Sequence, residues 1–145
     1  MLRVLVVDDN ETVARTIKRM LRGRFEVTTR HTGTAAIELI TDYARGGHSF
    51  DLILCDARMP DLHGWDVLQV ARAHMAPSIF IMMSAMDHCD FGADGYLSKP
   101  FTLSDFIDTV GHLMPSRASA ASLGQWRGPE SPAPRSRSFS APPSG

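Results

Sequence analysis

Lysine is scarce in this chain: two residues, Lys18 and Lys99, against 13 arginines. Cysteine is as rare, and Cys55 and Cys89 form neither a disulfide framework nor a metal-binding spacing. Cys55 ends an apolar run and reads as a core thiol, which agrees with reducing, cytoplasmic surroundings. No long hydrophobic run is present. The first, about six residues ending in two aspartates, is too short for a signal peptide or a membrane span. No glycine-rich phosphate loop occurs. The histidines His31, His48, His63, His74, His88 and His112 have no ligand spacing and read as surface or capping residues. A net charge of −1 gives no global field toward nucleic acid or membrane.

The charge is unevenly spread. Residues 1–114 hold 11 basic and 15 acidic residues, a net −4, while 115–145 hold 4 arginines and 1 glutamate, a net +3. The apolar fraction of 43% suffices for a core, and the length predicts one domain with an appendage. From Pro115 onward Ser, Pro, Arg, Ala and Gly dominate, Trp126 and Phe139 stand isolated, and no apolar period survives. Such a segment cannot bury enough surface to offset its ordering entropy. The expectation is a domain over 1–114 and a disordered tail over 115–145. The Arg135-Ser136-Arg137-Ser138 run reads as a solvated stretch. The tail's positive charge leaves a tethering role open. The tail shows no pattern of a DNA-binding or enzymatic output domain.

Within 1–114, strand-like runs alternate with helical periods. Val13, Ile17, Met20 and Leu21 have amphipathic helical spacing, with Asn10 as a candidate cap. Phe25 to Thr29 reads as a short strand. Thr32 is a candidate cap for a second helix carrying Ile37, Ile40 and Ala44. A third helix begins near Gly64, and Thr102 is a candidate cap for a last one with Leu103, Phe106, Ile107, Val110 and Met114 in register. The runs at 2–7, 52–55 and 79–83 are apolar without alternation, as in strands covered on both faces. Repeated βα units of this kind predict a parallel, doubly wound sheet. Only ten residues separate Ser84 from Gly95, so the fourth helix is expected to be shortened or missing.

Four strand-like runs stop at residues that can do chemistry. Leu2–Val7 runs into Asp8-Asp9, Leu52–Cys55 into Asp56, Ile79–Met83 into Ser84, and Tyr96-Leu97 into Ser98-Lys99-Pro100. The carboxyl edge of a parallel sheet is where α/β folds place ligands. Three carboxylates gathered there require protonation or a cation, because two at about 4 Å repel by roughly 4 kcal/mol at an effective dielectric near 20. A hard divalent ion such as Mg²⁺ suits oxygen ligands. Lys99 supplies a point charge for a phosphate oxygen, and a carboxylate can act as nucleophile. The set reads as a phosphoryl-transfer site. Taken singly, Asp8 or Asp9 would equally serve as a helix N-terminal residue, Ser84 as a turn hydroxyl and Lys99 as a surface charge. It is the conjunction that points to a site.

Asp8-Asp9, Asp56-Ala57-Arg58-Met59-Pro60-Asp61-Leu62-His63-Gly64, Ser84-Ala85 and Gly92-Ala93-Asp94-Gly95-Tyr96-Leu97-Ser98-Lys99-Pro100-Phe101 resemble the receiver domain of bacterial two-component response regulators, of the stand-alone, chemotaxis-regulator-like kind. The likeness covers about residues 1–114. It implies a flavodoxin-like five-stranded parallel sheet in the order 2-1-3-4-5. It also implies that Asp56 accepts a phosphoryl group from a sensor histidine kinase or a histidine phosphotransfer protein. Asp8, Asp9, Asp56 and the backbone carbonyl of Arg58 would hold Mg²⁺. Lys99 would pair with Asp56 and then with the phosphoryl group, while Ser84 and Tyr96 would switch, with Tyr96 turning inward. The Lys99–Pro100 peptide would be cis. Glu11, Thr12, Arg15, Lys18 and Phe101 would meet the partner. Arg58, two positions after the acceptor, would affect the lifetime of the phosphoryl group.

The implied protein is a monomer or weak dimer that signals by binding a downstream protein or relays phosphoryl groups, without direct DNA binding, membrane insertion or turnover of its own. An interaction module that ignores phosphorylation is the alternative. A small phosphohydrolase or nucleotide binder is disfavoured by the missing glycine-rich loop and by the lack of a second acid two residues after Asp56. Trp65 reads as a helix-packing aromatic, with an exposed position near the site, open to a partner, as the alternative.

Overall fold

A computed structural model describes residues 1–75, 77–85 and 92–113. The elements run β1 (Leu2–Val7), α1 (Glu11–Leu21), β2 (Phe25–Arg30), α2 (Gly33–Arg45), β3 (Leu52–Asp56), α3 (Gly64–His74), β4 (Ile79–Ser84), β5 (Gly95–Ser98) and α4 (Leu103–Leu113). All neighbouring strands are parallel, in the order β2-β1-β3-β4-β5. This is the doubly wound arrangement the alternating pattern predicts.

The central strands owe their place to composition. β1, β3 and β4 consist of apolar side chains almost throughout, and their central residues are fully buried. Successive side chains point to opposite faces, so one sheet feeds two cores. Val4, Val6, Leu52, Leu54, Ile81 and Met83 face α1 and α4, meeting Ile17, Leu21, Phe106 and Val110. Leu5, Val7, Ile53, Cys55, Phe80 and Met82 face α2 and α3, meeting Ile40, Val67, Leu68 and Ala71.

The helix starts are set locally. The Asn10 carboxamide accepts from the N–H groups of Thr12 (2.9 Å) and Val13 (3.1 Å). The Thr32 hydroxyl accepts from Ala35 N–H at 3.0 Å. Thr102 and Asp105 exchange bonds, the hydroxyl accepting from Asp105 N–H and the carboxylate from Thr102 N–H, which is a capping box. Each satisfies N–H groups that the first helical turn leaves without partners.

The return from β4 to β5 is braced from α3. Arg72 donates to both Asp94 carboxylate oxygens (3.2 and 3.3 Å) and to the Gly92 carbonyl (3.0 Å). Asp94 also accepts from Phe80 N–H at 2.8 Å. The expected shortening of the segment after Ser84 falls largely on residues 86–91, outside the described residues. So do Met114, the 115–145 segment, Cys89 and His88. Among the described residues, no helix is long and apolar enough to cross a membrane.

Candidate functional site

Strand register gathers the site. Val7 pairs with Cys55, Asp56 with Met83, and Ser84 with Ser98. The residues following β1 and β5, and the last residues of β3 and β4, therefore share the carboxyl edge. Asp8, Asp9, Asp56, Ser84 and Lys99 all stand at that edge.

Asp8 is fully buried and both its oxygens are engaged. Oδ1 accepts from Asn10 N–H at 2.9 Å, which ties the acid to the cap of α1. Oδ2 accepts from Lys99 Nζ at 3.0 Å. The same ammonium reaches Asp56 Oδ2 at 3.3 Å. Asp9 is exposed and makes no hydrogen bond among the described residues, so its carboxylate is open to a ligand.

The electrostatics follow from this crowding. Burial, and then the negative charge of Asp8, push the Asp56 carboxyl up to about 6, although Lys99 and the Arg58 backbone amide favour its charged form. Burial acts against charge on Lys99, but the hydrogen bond to Asp8 and the Asp56 charge outweigh it and hold the ammonium above its ordinary value. Two acids facing one ammonium remain under-neutralised. Asp8, Asp9 and Asp56 each offer a carboxylate oxygen, and these lie within 4.8 Å of one another. An all-oxygen, three-carboxylate set fits a hard divalent cation. Mg²⁺ therefore agrees with the donors present.

The loop between β3 and α3 is tightly built. Gly64 N–H donates to the Ala57 carbonyl at 2.8 Å and Met59 N–H to the Leu62 carbonyl at 3.2 Å, two bonds that set Arg58 opposite His63. Gly64 is where chain meets chain: a Cβ there would lie 2.6 Å from the Asp56 carbonyl oxygen and 2.7 Å from Met82 Sδ. Ala57 N–H donates to the Met83 carbonyl at 2.8 Å, and Lys99 N–H to the Ser84 carbonyl at 2.8 Å, so β4 holds both flanks of the pocket. The Lys99–Pro100 peptide is cis. His31 Nδ1 lies 3.2 Å from the Asp8 carbonyl oxygen, at the rim.

Tyr96 points away from the pocket. It is 39% exposed, and its hydroxyl accepts from the N–H groups of Gly92 (3.2 Å) and Ala93 (3.3 Å). Glu11, Thr12, Arg15 and Lys18 are all exposed on α1. Arg19 and Arg22 continue the stripe at helical spacing from Arg15 and are exposed too, a cationic extension the sequence reading does not single out. Phe101 is half-buried against the α1/α4 core.

One expectation is corrected. Trp65 is 45% exposed rather than packed. The buried stripe of α3 is Gly64, Val67, Leu68 and Ala71, and Trp65 falls outside it. Asp61 was missed by sequence reading: its carboxylate bonds the first residues of α2, 27 and 28 positions earlier.

A doubly wound sheet with an acidic, lysine-bridged pocket at its carboxyl edge defines a receiver-type domain. Residues 4–111 match the response regulator receiver domain family, and the chain belongs to that family. The cell cycle response regulator CtrA of Brucella ovis is 32% identical over 117 residues, spanning 75% of this chain and 48% of CtrA. The chain thus spans about half the length of the curated relatives it matches. Among solved structures, the response regulator TrrA of Thermotoga maritima, in complex with Mg²⁺ and BeF, is 26% identical with a TM-score of 0.66, covering 79% of this chain and 100% of TrrA. The chemotaxis protein CheY4 of Vibrio cholerae superposes with a TM-score of 0.69 at 23% identity, covering 79% and 99% of the two chains, a likeness of fold.

Proposed function

We propose that this chain is a phosphorylation-controlled signalling domain of a two-component relay, with Asp56 as the phosphoryl acceptor. The supporting observation is the single ammonium of Lys99 held between Asp8 and Asp56, beside the open carboxylate of Asp9. Asp8, Asp9, Asp56 and the Arg58 carbonyl would hold Mg²⁺. Once bound, Mg²⁺ neutralises charge on the oxygens of the transferring group.

The remaining steps belong to the chain. An ionised Asp56 oxygen attacks phosphorus as the bond to the donor's histidine nitrogen breaks, and that nitrogen keeps the electron pair. Lys99 shifts its hydrogen bonds from the carboxylates to the phosphoryl oxygens. The new group adds about −1.5 to −2 charge, which draws the Ser84 hydroxyl from the end of β4. The Tyr96 hydroxyl then gives up Gly92 and Ala93 and the ring moves inward, altering the β5 surface that a downstream protein reads.

The donor, a sensor histidine kinase or histidine phosphotransfer protein, would meet Glu11, Thr12, Arg15 and Lys18 of α1, together with Phe101. The first turn of α1 starts next to Asp9 and Asn10, so a partner on that stripe reaches the pocket. Incubation with acetyl phosphate and Mg²⁺ tests the reading. One phosphoryl mass should be added, and Asp56→Asn should abolish the addition. Partner binding that is indifferent to Asp56→Ala would favour an interaction module independent of phosphorylation.

A further inference from the structure

We propose that Asp61 is a positioning residue for the cation pocket, coupling the N-terminus of α2 to the loop that carries Arg58. The inference rests on the reading of the pocket given above.

Asp61 sits at the tip of the β3–α3 loop, and its exposed carboxylate is fully engaged by α2. Oδ1 accepts from Gly33 N–H at 3.1 Å. Oδ2 accepts from Thr34 N–H at 2.9 Å and from the Thr34 hydroxyl at 2.8 Å. These bonds, led by that from the Thr34 amide, hold the carboxyl down to about 2, so the group is charged throughout the physiological range. The helix does not need Asp61 for its own cap, because Thr32 already serves Ala35 N–H. Asp61 instead takes two other amides that the first turn leaves without helical partners. The two segments also approach closely there: a Cβ added at Gly33 would stand 2.8 Å from both Cβ and Cδ1 of Leu62.

The base of the same loop is the pocket wall. The Met59–Leu62 and Gly64–Ala57 bonds, which set Arg58 opposite His63, make the loop a short two-sided turn. Its tip is fixed to α2 and its base carries Arg58, whose amide acts on Asp56. A turn cross-bonded twice, on either side of Arg58, transmits displacement from tip to base instead of absorbing it. Loosening Asp61 from α2 therefore moves the Arg58 carbonyl. Coupling is reciprocal: filling the pocket must tighten the hold on Gly33 and Thr34.

The test uses the full chain, with Mg²⁺ as probe, isothermal calorimetry for affinity and amide hydrogen exchange for the tether. Asp61→Ala should raise the Kd for Mg²⁺ roughly tenfold, the scale of losses when a group supporting a metal ligand is removed. Asp61→Asn, which keeps an acceptor oxygen, should recover part of that loss. Gly33→Ala should also weaken Mg²⁺ binding, acting from α2 through Leu62. In the wild type, Mg²⁺ should slow exchange of the Gly33 and Thr34 amides, and in metal-free Asp61→Ala the Arg58 amide should exchange faster. A Kd within twofold of wild type in both Asp61→Ala and Gly33→Ala would overturn the inference while leaving the pocket's role intact. Exchange at Gly33 and Thr34 that ignores Mg²⁺ would do the same, and needs no variant to fold. A wild type that takes up no Mg²⁺ would overturn the inference and the reading of the pocket together.

Discussion

Lys99 Nζ stands 3.0 Å from Asp8 Oδ2, closer than the 3.3 Å that separates it from Asp56 Oδ2. The lysine therefore bonds a buried acid next to the proposed acceptor as well as the acceptor itself. In the metal-free protein its charge offsets part of that of the two acids.

That role makes Lys99 and Mg²⁺ competitors. Lys99→Ala should tighten Mg²⁺ binding several-fold, because three carboxylates then face the metal without a resident positive charge. The same substitution should destabilise the metal-free protein by about 1–3 kcal/mol, since it strips a partner from buried Asp8. Phosphorylation by acetyl phosphate should nevertheless fall. Calorimetric Mg²⁺ titration and thermal melts with and without metal check the first two effects, and mass spectrometry checks the third.

Proton binding competes at the same place. With its carboxyl pushed up to about 6 by burial and Asp8, Asp56 holds a proton in the metal-free fold at pH values where the unfolded chain, near 3.8, has lost it. The stabilisation from neutral Asp56 is complete below about pH 4 and is lost as pH rises through about 6. Metal needs the ionised acid. Affinity for Mg²⁺ should therefore weaken steadily as pH falls below about 6, and Asp56→Asn should flatten that dependence. Titrations at several pH values read this directly.

Close packing behind the pocket leaves little room for a side chain at Gly64. Gly64→Ala puts a methyl group against the Asp56 carbonyl and Met82 Sδ at distances real Cβ atoms do not adopt. The Asp56 carbonyl is backbone of the buried sheet and cannot yield cheaply, so a loss of roughly 1–3 kcal/mol is expected, measurable by urea unfolding. Phosphorylation should slow as well, since the clash bears on Asp56 itself.

The brace on the β4–β5 return gives an unequal pair of mutants. Arg72→Ala removes an ion pair about a third exposed and should cost on the order of 1 kcal/mol or less. Asp94→Ala also strands Phe80 N–H and should cost about 1–3 kcal/mol. Denaturant midpoints of the two variants should rank in that order.

Much of the architecture was legible because its causes are local. Asn10, Thr32 and Thr102 cap the helices that follow them, and the apolar runs at β1, β3 and β4 are covered on both faces. The acids and Lys99 were legible for a related reason: each ends a strand, and a parallel sheet brings strand ends together. Asp61 was hidden because its partners Gly33 and Thr34 lie across a contact that no periodicity encodes. Arg72 was hidden likewise, since its hold on Asp94 depends on how α3 lies against the sheet. Trp65 was misjudged because aromatic character suggested packing where the stripe of α3 faces elsewhere.

The central claim is that Asp56 is the group that accepts phosphate. The decisive measurement is intact-mass spectrometry after incubation with acetyl phosphate and Mg²⁺, comparing wild type with Asp56→Asn and, separately, with a matched histidine kinase as donor. The account predicts one phosphoryl group on the wild type, dependence on Mg²⁺, and none on the variant. Labelling that persists in Asp56→Asn, or a wild type that takes phosphate from neither donor, would contradict it.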